Sequence, residues 1–311
     1  MSNVRWEEIV AARERISPSI HRTPIMTCAT LDHIAEKAIF FKCENLQKTG
    51  SFKFRGALNA VLSLTPAERA RGVITHSSGN HGQALALAAR LCGVSVTVVV
   101  PEDAPRVKRE AMEGYGARVI PCRPTQAARE ALTDRAVRET GAIFIDSHDD
   151  PAVIAGQGTT VVELIEETGP LDTVLVPVGG GGLLAGTVIA LSQLLPGAKV
   201  IGCEPAGADD AYRGLRRGKR VTAFTPKTIA DGLRTPLGVT TFEIISKHGP
   251  AIICVSEESI LKAMRFVWER MKIVIEPSSA VAVAPLLEHF PEVTGERIGV
   301  ILSGGNVDPW N

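Results

Sequence analysis

Two spacings of apolar residues divide the chain. Residues 4–17 carry them at the helical interval and read as an amphipathic helix, followed by a turn-rich stretch at 21–24. From residue 38 onward, short unbroken runs of branched apolar residues, such as VSVTVVV at 94–100, alternate with segments of 10–15 residues at helical spacing. The runs predict strands at 38–43, 72–76, 95–100 and 118–121, with helices at about 54–64, 82–91 and 106–115 between them. The second half repeats the style, with strands expected at 142–145, 172–178, 199–204, 251–255 and 298–302. A strand that is apolar on both faces belongs in a parallel sheet covered on both sides, so the pattern predicts a doubly wound α/β fold. A length of 311 residues suits two such lobes. No Pro/Ser-rich linker separates them. The strand-helix repeats at 72–149 are therefore expected to form a small mobile domain, inserted into a discontinuous large domain made of 1–71 and 150–311.

Charge narrows the partners. Lys plus Arg equals Asp plus Glu at 34 each, so no basic excess recommends nucleic acid or an anionic membrane. No apolar run approaches the roughly 18 residues of a membrane span. The N-terminal stretch holds acidic residues where a signal peptide needs an apolar core. Six well-separated cysteines form no CxxC or Cys/His metal spacing, which suits reduced thiols and a cytoplasmic location. The uneven feature is glycine: its 29 residues gather in a few clusters, and those clusters carry the candidate chemistry.

VLVPVGGGGLLAGTVIAL, at 174–191, is a buried strand that turns through Gly179, Gly180, Gly181 and Gly182 into a helix. Successive glycines bring backbone N–H groups close to a ligand, and the helix start attracts an anion, so a phosphate fits there. Gly180, Gly182 and Ala185 also spell a GxGxxA dinucleotide fingerprint, with Glu204 about 20 residues on, which read alone supports an NAD-dependent oxidoreductase. Lys48-Thr49-Gly50 with Ser259-x-x-Lys262 imitates a serine acyl-enzyme motif, but in reversed order and without an SDN element. QKTGSFKFRGALNA, at 47–60, sets Lys53 beside Phe52 at a helix start, where apolar surroundings lower a lysine toward the neutral, nucleophilic form. THSSGNHGQALALAA, at 75–89, gathers Ser77, Ser78, Gly79, Asn80 and His81 at another strand-to-helix turn, either as a carboxylate cradle or as plain helix caps. VILSGGNVD, at 300–308, ends a further strand with Ser303 at its tip. All four turns are expected at the C-terminal edges of parallel strands, where open α/β sheets bind ligands.

In this order GSFKFRG, SSGNHGQA, GGGGLLAG and SGGN resemble the fold type II pyridoxal-phosphate enzymes, the serine racemase and threonine/serine dehydratase group, over residues 21–308. The resemblance implies a tryptophan-synthase-β-like fold and displaces the dinucleotide reading. It makes Lys53 the lysine that carries pyridoxal 5′-phosphate and the base at Cα. Phe52 then packs beside the pyridine ring, Asn80 binds its 3′-oxygen, Gly179 to Gly182 with Leu183 hold the phosphate, and Ser303 faces the ring nitrogen. A neutral hydroxyl at that nitrogen favours elimination and proton exchange over transamination. Ser77, Ser78, Gly79, Asn80 and His81 are implied to bind the substrate carboxylate, with Ser78 as the second acid/base of racemases.

CEPAGADDAYRG resembles the family's divalent-cation site, implying Glu204, the Ala208 carbonyl and Asp210 as ligands; oxygen donors suit Mg²⁺, Ca²⁺ or Mn²⁺. Gln83, Lys108 and Tyr115 match nucleotide-contacting positions of eukaryotic serine racemases and suggest a nucleotide effector. The implied activity is dehydration and deamination of serine or threonine to a 2-oxo acid and ammonia, with serine racemisation, in a homodimer. One departure bears on substrate. Where many relatives read His-Pro-Asn, this chain has Ser147-His148-Asp149-Asp150 on the substrate side. That keeps 3-hydroxyaspartate dehydration to oxaloacetate as an alternative, with Arg129 as partner for a second carboxylate. Only Pro309, Trp310 and Asn311 follow Asp308, so neither an amino-acid-binding regulatory domain nor isoleucine inhibition is expected.

Overall fold

The computed structural model describes residues 4–104 and 106–308; Pro309, Trp310 and Asn311 lie outside the described residues. Among the described residues ten strands form two sheets: β1 Ile25–Met26, β2 Ala38–Cys43, β3 Val73–His76, β4 Val96–Pro101, β5 Arg118–Cys122, β6 Ile143–Phe144, β7 Thr173–Pro177, β8 Lys199–Pro205, β9 Ala251–Val255 and β10 Arg297–Leu302. The larger sheet runs β1-β2-β10-β7-β8-β9 and the smaller β5-β4-β3-β6. Every pairing is parallel except that of β1 with β2.

The unbroken apolar runs have the cause expected of them. On β7, Val174 and Val176 join an apolar cluster with Ile154 and Leu184, from the helices Pro151–Thr168 and Gly182–Leu194. Leu175 points into the opposite cluster with Ile260 and Val267 of the helix Glu257–Met271. Successive side chains alternate faces, so covering both faces demands apolar residues at every position. The strand expected at 142–145 shortens to Ile143–Phe144, an edge strand whose Phe144 stays exposed.

Strand order, which the pattern does not reveal, decides the site. β10, last in sequence, inserts between β2 and β7, with Val300 opposite both Phe41 and Leu175. The C-terminal ends of β2, β10 and β7 are therefore neighbours, and the segments that follow them meet. Among the described residues no helix is long and apolar enough to cross a membrane. All six cysteines are free thiols.

Candidate active site

A cavity of about 340 Å³, the size of a small-ligand pocket, opens where the ends of β3, β7 and β10 converge, and Lys53 lines it. Ser51 is extended and bridges Gly304, and the Phe52 amide donates to the Ser303 carbonyl at 3.0 Å. The approach to Lys53 is thus stitched onto the end of β10. Lys53 opens the helix Lys53–Ser63, its Nζ donating to the Ser147 carbonyl at 2.8 Å and lying 5.2 Å from the Phe52 ring centre. Burial pulls its ammonium down to about 8, against the opposing pull of Asp146 and Glu276, so a sizeable neutral fraction exists at physiological pH. Arg55, two residues further, is clamped by Glu44 and Glu163 and fixes this helix in the large lobe.

The glycine turn follows β7. Gly181 caps the helix Gly182–Leu194 in the left-handed region, at φ +89°, with no side chain capping that helix start. A Cβ on Gly181 would fall 2.6 Å from Leu237, and one on Gly180 would land on the His148 ring. The N–H groups at such a start, which no side chain caps, suit a phosphate. Leu183 is buried and Ser303, at the end of β10, lines the same cavity.

After β3 the helix begins at Asn80, two residues earlier than the spacing predicts, with Gly79 as cap. Ser77 and Ser78 do not cap it. Ser77 Oγ accepts from the Gly79 amide at 3.2 Å, and Ser78 stays exposed at the cavity. Asn80 donates to Glu276 at 2.8 Å and accepts from Asn306 at 3.0 Å, which fixes its amide. His81 is buried and kept neutral: burial, then Lys53, push it down to about 3.

Three groups went unread in the sequence. Glu276 is buried against Asn80, its Oε2 without a partner, and burial with Asp231 pushes it up to about 7. Asp231 takes an ion pair at 2.5 Å from Lys108 of the helix Arg106–Gly114, the lysine nominated for a nucleotide. Of the three nucleotide candidates only Lys108 lines this cavity; Gln83 is buried and Tyr115 lies 5.4 Å under Arg90. The third group is Asp146, 3.2 Å from His148 of the loop already noted as a departure. Asp146, Asp149 and Asp150 all accept backbone N–H groups, so the acidic loop is consumed in holding its own shape and two helix starts. Arg129 lines the cavity from the small lobe, its Nε buried without a partner.

Glu204, at the end of β8, accepts from the Ala211 and Tyr212 amides at 3.0 and 2.9 Å, which leaves it unfit for a ribose. Asp210 accepts from the Leu237 amide at 3.0 Å and keeps Oδ1 buried and unpartnered. Burial and Asp210 push Glu204 well above the usual carboxylate range, and burial lifts Asp210 to about 6. Ala208 is buried beside them in sequence. Among the described residues no three His, Cys, Asp or Glu side chains converge as a metal cluster, so a cation here depends on two carboxylates and backbone or water oxygen. The uncompensated charge and the orphaned Oδ1 fit one.

The chain is similar to known proteins over nearly its whole length. The sequence model of the family described as "Pyridoxal-phosphate dependent enzyme" matches residues 16–304. A serine racemase of Dictyostelium discoideum is 50% identical over 99% of this chain and 96% of its own, and its crystal structure superposes with a TM-score of 0.93 over 98% and 99% of the two chains. A beta-hydroxyaspartate dehydratase of Paracoccus denitrificans is 45% identical over 98% of both chains. The crystal structure of a T.th. threonine deaminase has a TM-score of 0.93 at 43% identity, covering 98% of this chain and 99% of that one.

Proposed function

The chain belongs to the fold type II pyridoxal-phosphate dependent enzymes, in the serine racemase and threonine dehydratase group, and from that premise we propose that it dehydrates and deaminates serine or threonine to a 2-oxo acid and ammonia, racemising serine alongside. The observation that carries this is Lys53: a lysine lowered to about 8 by burial, in one cavity with the glycine turn, the Ser77–His81 turn and Ser303. Lys53, Asn80, Ser303 and the N–H groups of Gly179 to Leu183 would hold the cofactor, with Phe52 against its ring. When bound, the cofactor supplies an electron sink for the charge that develops at Cα.

The chain's own groups do the rest. The N–H and hydroxyl groups of the Ser77–His81 turn hold the substrate carboxylate and so orient the Cα–H bond. Lys53 takes the Cα proton as general base. Ser78, exposed at the cavity, returns a proton for racemisation; without that return the β-hydroxyl leaves as water, taking up a proton equivalent to the one that Lys53 removed from Cα. The segment 72–149 closes as a small lobe and excludes water, and the Lys108–Asp231 pair joins it to the large lobe.

A second reading has its own observation. Arg129, which lines the cavity with its Nε buried and unpartnered, supports a substrate with a second carboxylate, 3-hydroxyaspartate, giving oxaloacetate. The experiment is a panel of serine, threonine and 3-hydroxyaspartate, scored for 2-oxo acid and D-amino acid, with wild type, Lys53→Ala and Arg129→Leu. Lys53→Ala is expected to lose at least about 1,000-fold in every reaction; full activity in it ends the proposal. If hydroxyaspartate is the substrate, Arg129→Leu loses about 100-fold on it alone. Glu204, the Ala208 carbonyl and Asp210 are proposed to take Mg²⁺, Ca²⁺ or Mn²⁺. A homodimer and a nucleotide effector belong to the same proposal, checked by sedimentation and by adding nucleotide to the panel.

A further inference from the structure

Among the described residues five lysine and arginine side chains line the cavity, and four of them are accounted for. Lys53 is the nucleophilic lysine, Lys108 is paired with Asp231, and Arg129 is assigned to a second carboxylate. Arg234 is exposed and turns back on its own loop, with Nε and Nη2 both donating to the Thr228 carbonyl at 3.1 and 2.6 Å. Arg220 is the fifth. It closes the run Arg216-Arg217-Gly218-Lys219-Arg220, which by composition alone reads as solvated charge. Arg216, Arg217 and Lys219 are exposed, whereas Arg220 is half-buried. The helix Asp210–Arg217 stops at Gly218 in the left-handed region, and the Lys219 amide closes onto the Gly214 carbonyl at 3.0 Å, so the chain reverses there.

One bond orients the Arg220 guanidinium: Nη1 donates to the Leu237 carbonyl at 3.1 Å. Leu237 is itself held, its amide on Asp210 at 3.0 Å and its side chain so close to the glycine turn that a Cβ on Gly181 would lie 2.6 Å away. Among the described residues Arg220 makes no ion pair. Asp149, the acid packed against Gly238, has its two oxygens on the Val239 and Thr241 amides at 3.0 Å. A guanidinium carries five N–H donors in a planar fork, so most of its donors remain for whatever the cavity admits. Arg129 reaches the same cavity from the helix Gln126–Thr140, which packs on the smaller sheet. We propose that Arg220 is the large-lobe half of a two-arginine receptor for a carboxylate on the substrate's side chain, with Arg129 as the small-lobe half. The inference rests on the second reading above, a substrate of the 3-hydroxyaspartate class, and adds the residue that selects it. The α-carboxylate is taken by the Ser77–His81 turn, and the hydroxymethyl group of serine offers neither arginine a charge. Two like charges on opposite lobes oppose closure until an anion lies between them, so a dicarboxylate also favours the closed state.

The test uses holoenzyme and measures KM and kcat separately on serine and 3-hydroxyaspartate, with succinate and propionate as competing dicarboxylate and monocarboxylate. Arg220→Leu is expected to raise KM for hydroxyaspartate roughly 10- to 100-fold, the loss of a charge-assisted bond, with kcat within about threefold. Serine kinetics stay within about twofold, because no contact to serine is lost. Inhibition by succinate weakens by the same factor as hydroxyaspartate binding, and inhibition by propionate does not change. Arg220→Lys keeps the charge without the fork and falls between wild type and Arg220→Leu. Arg234→Leu removes an exposed arginine from the same cavity and leaves the preference within about twofold, which separates a lost contact from a general loss of positive charge. Equal losses on both substrates in Arg220→Leu overturn the inference, as does an equal effect of Arg234→Leu. Hydroxyaspartate turnover and succinate inhibition at wild-type levels in Arg220→Leu overturn it too, and leave the second reading standing. Should Arg220→Leu melt early, Arg220→Lys decides, and a wild-type succinate-to-propionate ratio in it overturns the inference. Wild-type protein that turns over serine alone, and for which succinate is no better an inhibitor than propionate, ends the second reading and the receptor together. Absence of 2-oxo acid from every substrate ends the lyase reading, a separate outcome; succinate binding read from the cofactor's visible band then still tests Arg220.

Discussion

Two groups of buried charges in the large lobe have opposite character. Beneath the Lys53 helix, Arg55 is fully buried and meets Glu44 and Glu163 through four hydrogen bonds of 2.7–2.8 Å, two to each carboxylate. Lys42, also buried, adds a 2.8 Å pair to Glu163 and donates to the Thr23 carbonyl at 2.7 Å. Burial pulls Arg55 down, but the two carboxylates outweigh it and push it up; Glu163 is correspondingly held below the usual carboxylate range. At the far side, Glu204 and Asp210 are equally hidden yet accept hydrogen bonds from backbone N–H groups alone, the nearby Arg213 being paired with Asp209, and both are lifted. The first cluster is complete in the chain, whereas the second is a deficit of positive charge. Burial alone does not separate a structural charge from a ligand site; the presence of a partner does.

The sharpest way to break the contrast is Arg55→Leu. It leaves Glu44 and Glu163 buried with their main partner gone and is expected to lose about 3–5 kcal/mol in a denaturant titration. A loss below about 1 kcal/mol would mean that the cluster is no more self-sufficient than the other.

The second experiment completes the deficit. Divalent cation at roughly 100 times its dissociation constant should add about 2.7 kcal/mol of stability, and Asp210→Asn should abolish the gain. The pH course follows from the same carboxyl. Asp210 titrates at about 6 in the folded chain, above its ordinary value, so its contribution is full in acid and is lost as pH rises through about 6. Cation-free protein should therefore lose stability across that window in thermal melts, and bound cation should flatten the slope.

The smallest effect is expected at Glu276, which stands between the two cases: one oxygen holds Asn80 and the other is unpartnered. Raised to about 7 by burial, it stabilises the fold in its protonated form, and that contribution fades as pH rises through about 7. Glu276→Gln mimics the protonated acid. It should change stability at neutral pH by less than about 1 kcal/mol and remove the decline on the alkaline side.

Much of the fold was legible because its cause is local. VSVTVVV and VLVPV are strands for the same reason that both their faces are covered, and β2, β9 and β10 fall close to their expected limits. The four turns were legible as well, since glycine and small polar residues after a strand have few other uses. Glu276 and Asp231 carried no such mark: an isolated acid reads as solvated until burial is known. Lys108 was legible as a lysine but not as the partner of Asp231, 123 residues away.

The sequence alone determined the parallel α/β architecture and the residue types at each strand end, because periodicity, branched side chains and turn glycines act within a few residues. Tertiary structure decided that β10 lies between β2 and β7. That order sets Ser303 beside Phe52 and Lys53, and it decides which buried charges find partners. Pairing and desolvation depend on groups hundreds of residues apart meeting within a few ångströms, a distance that no local pattern encodes.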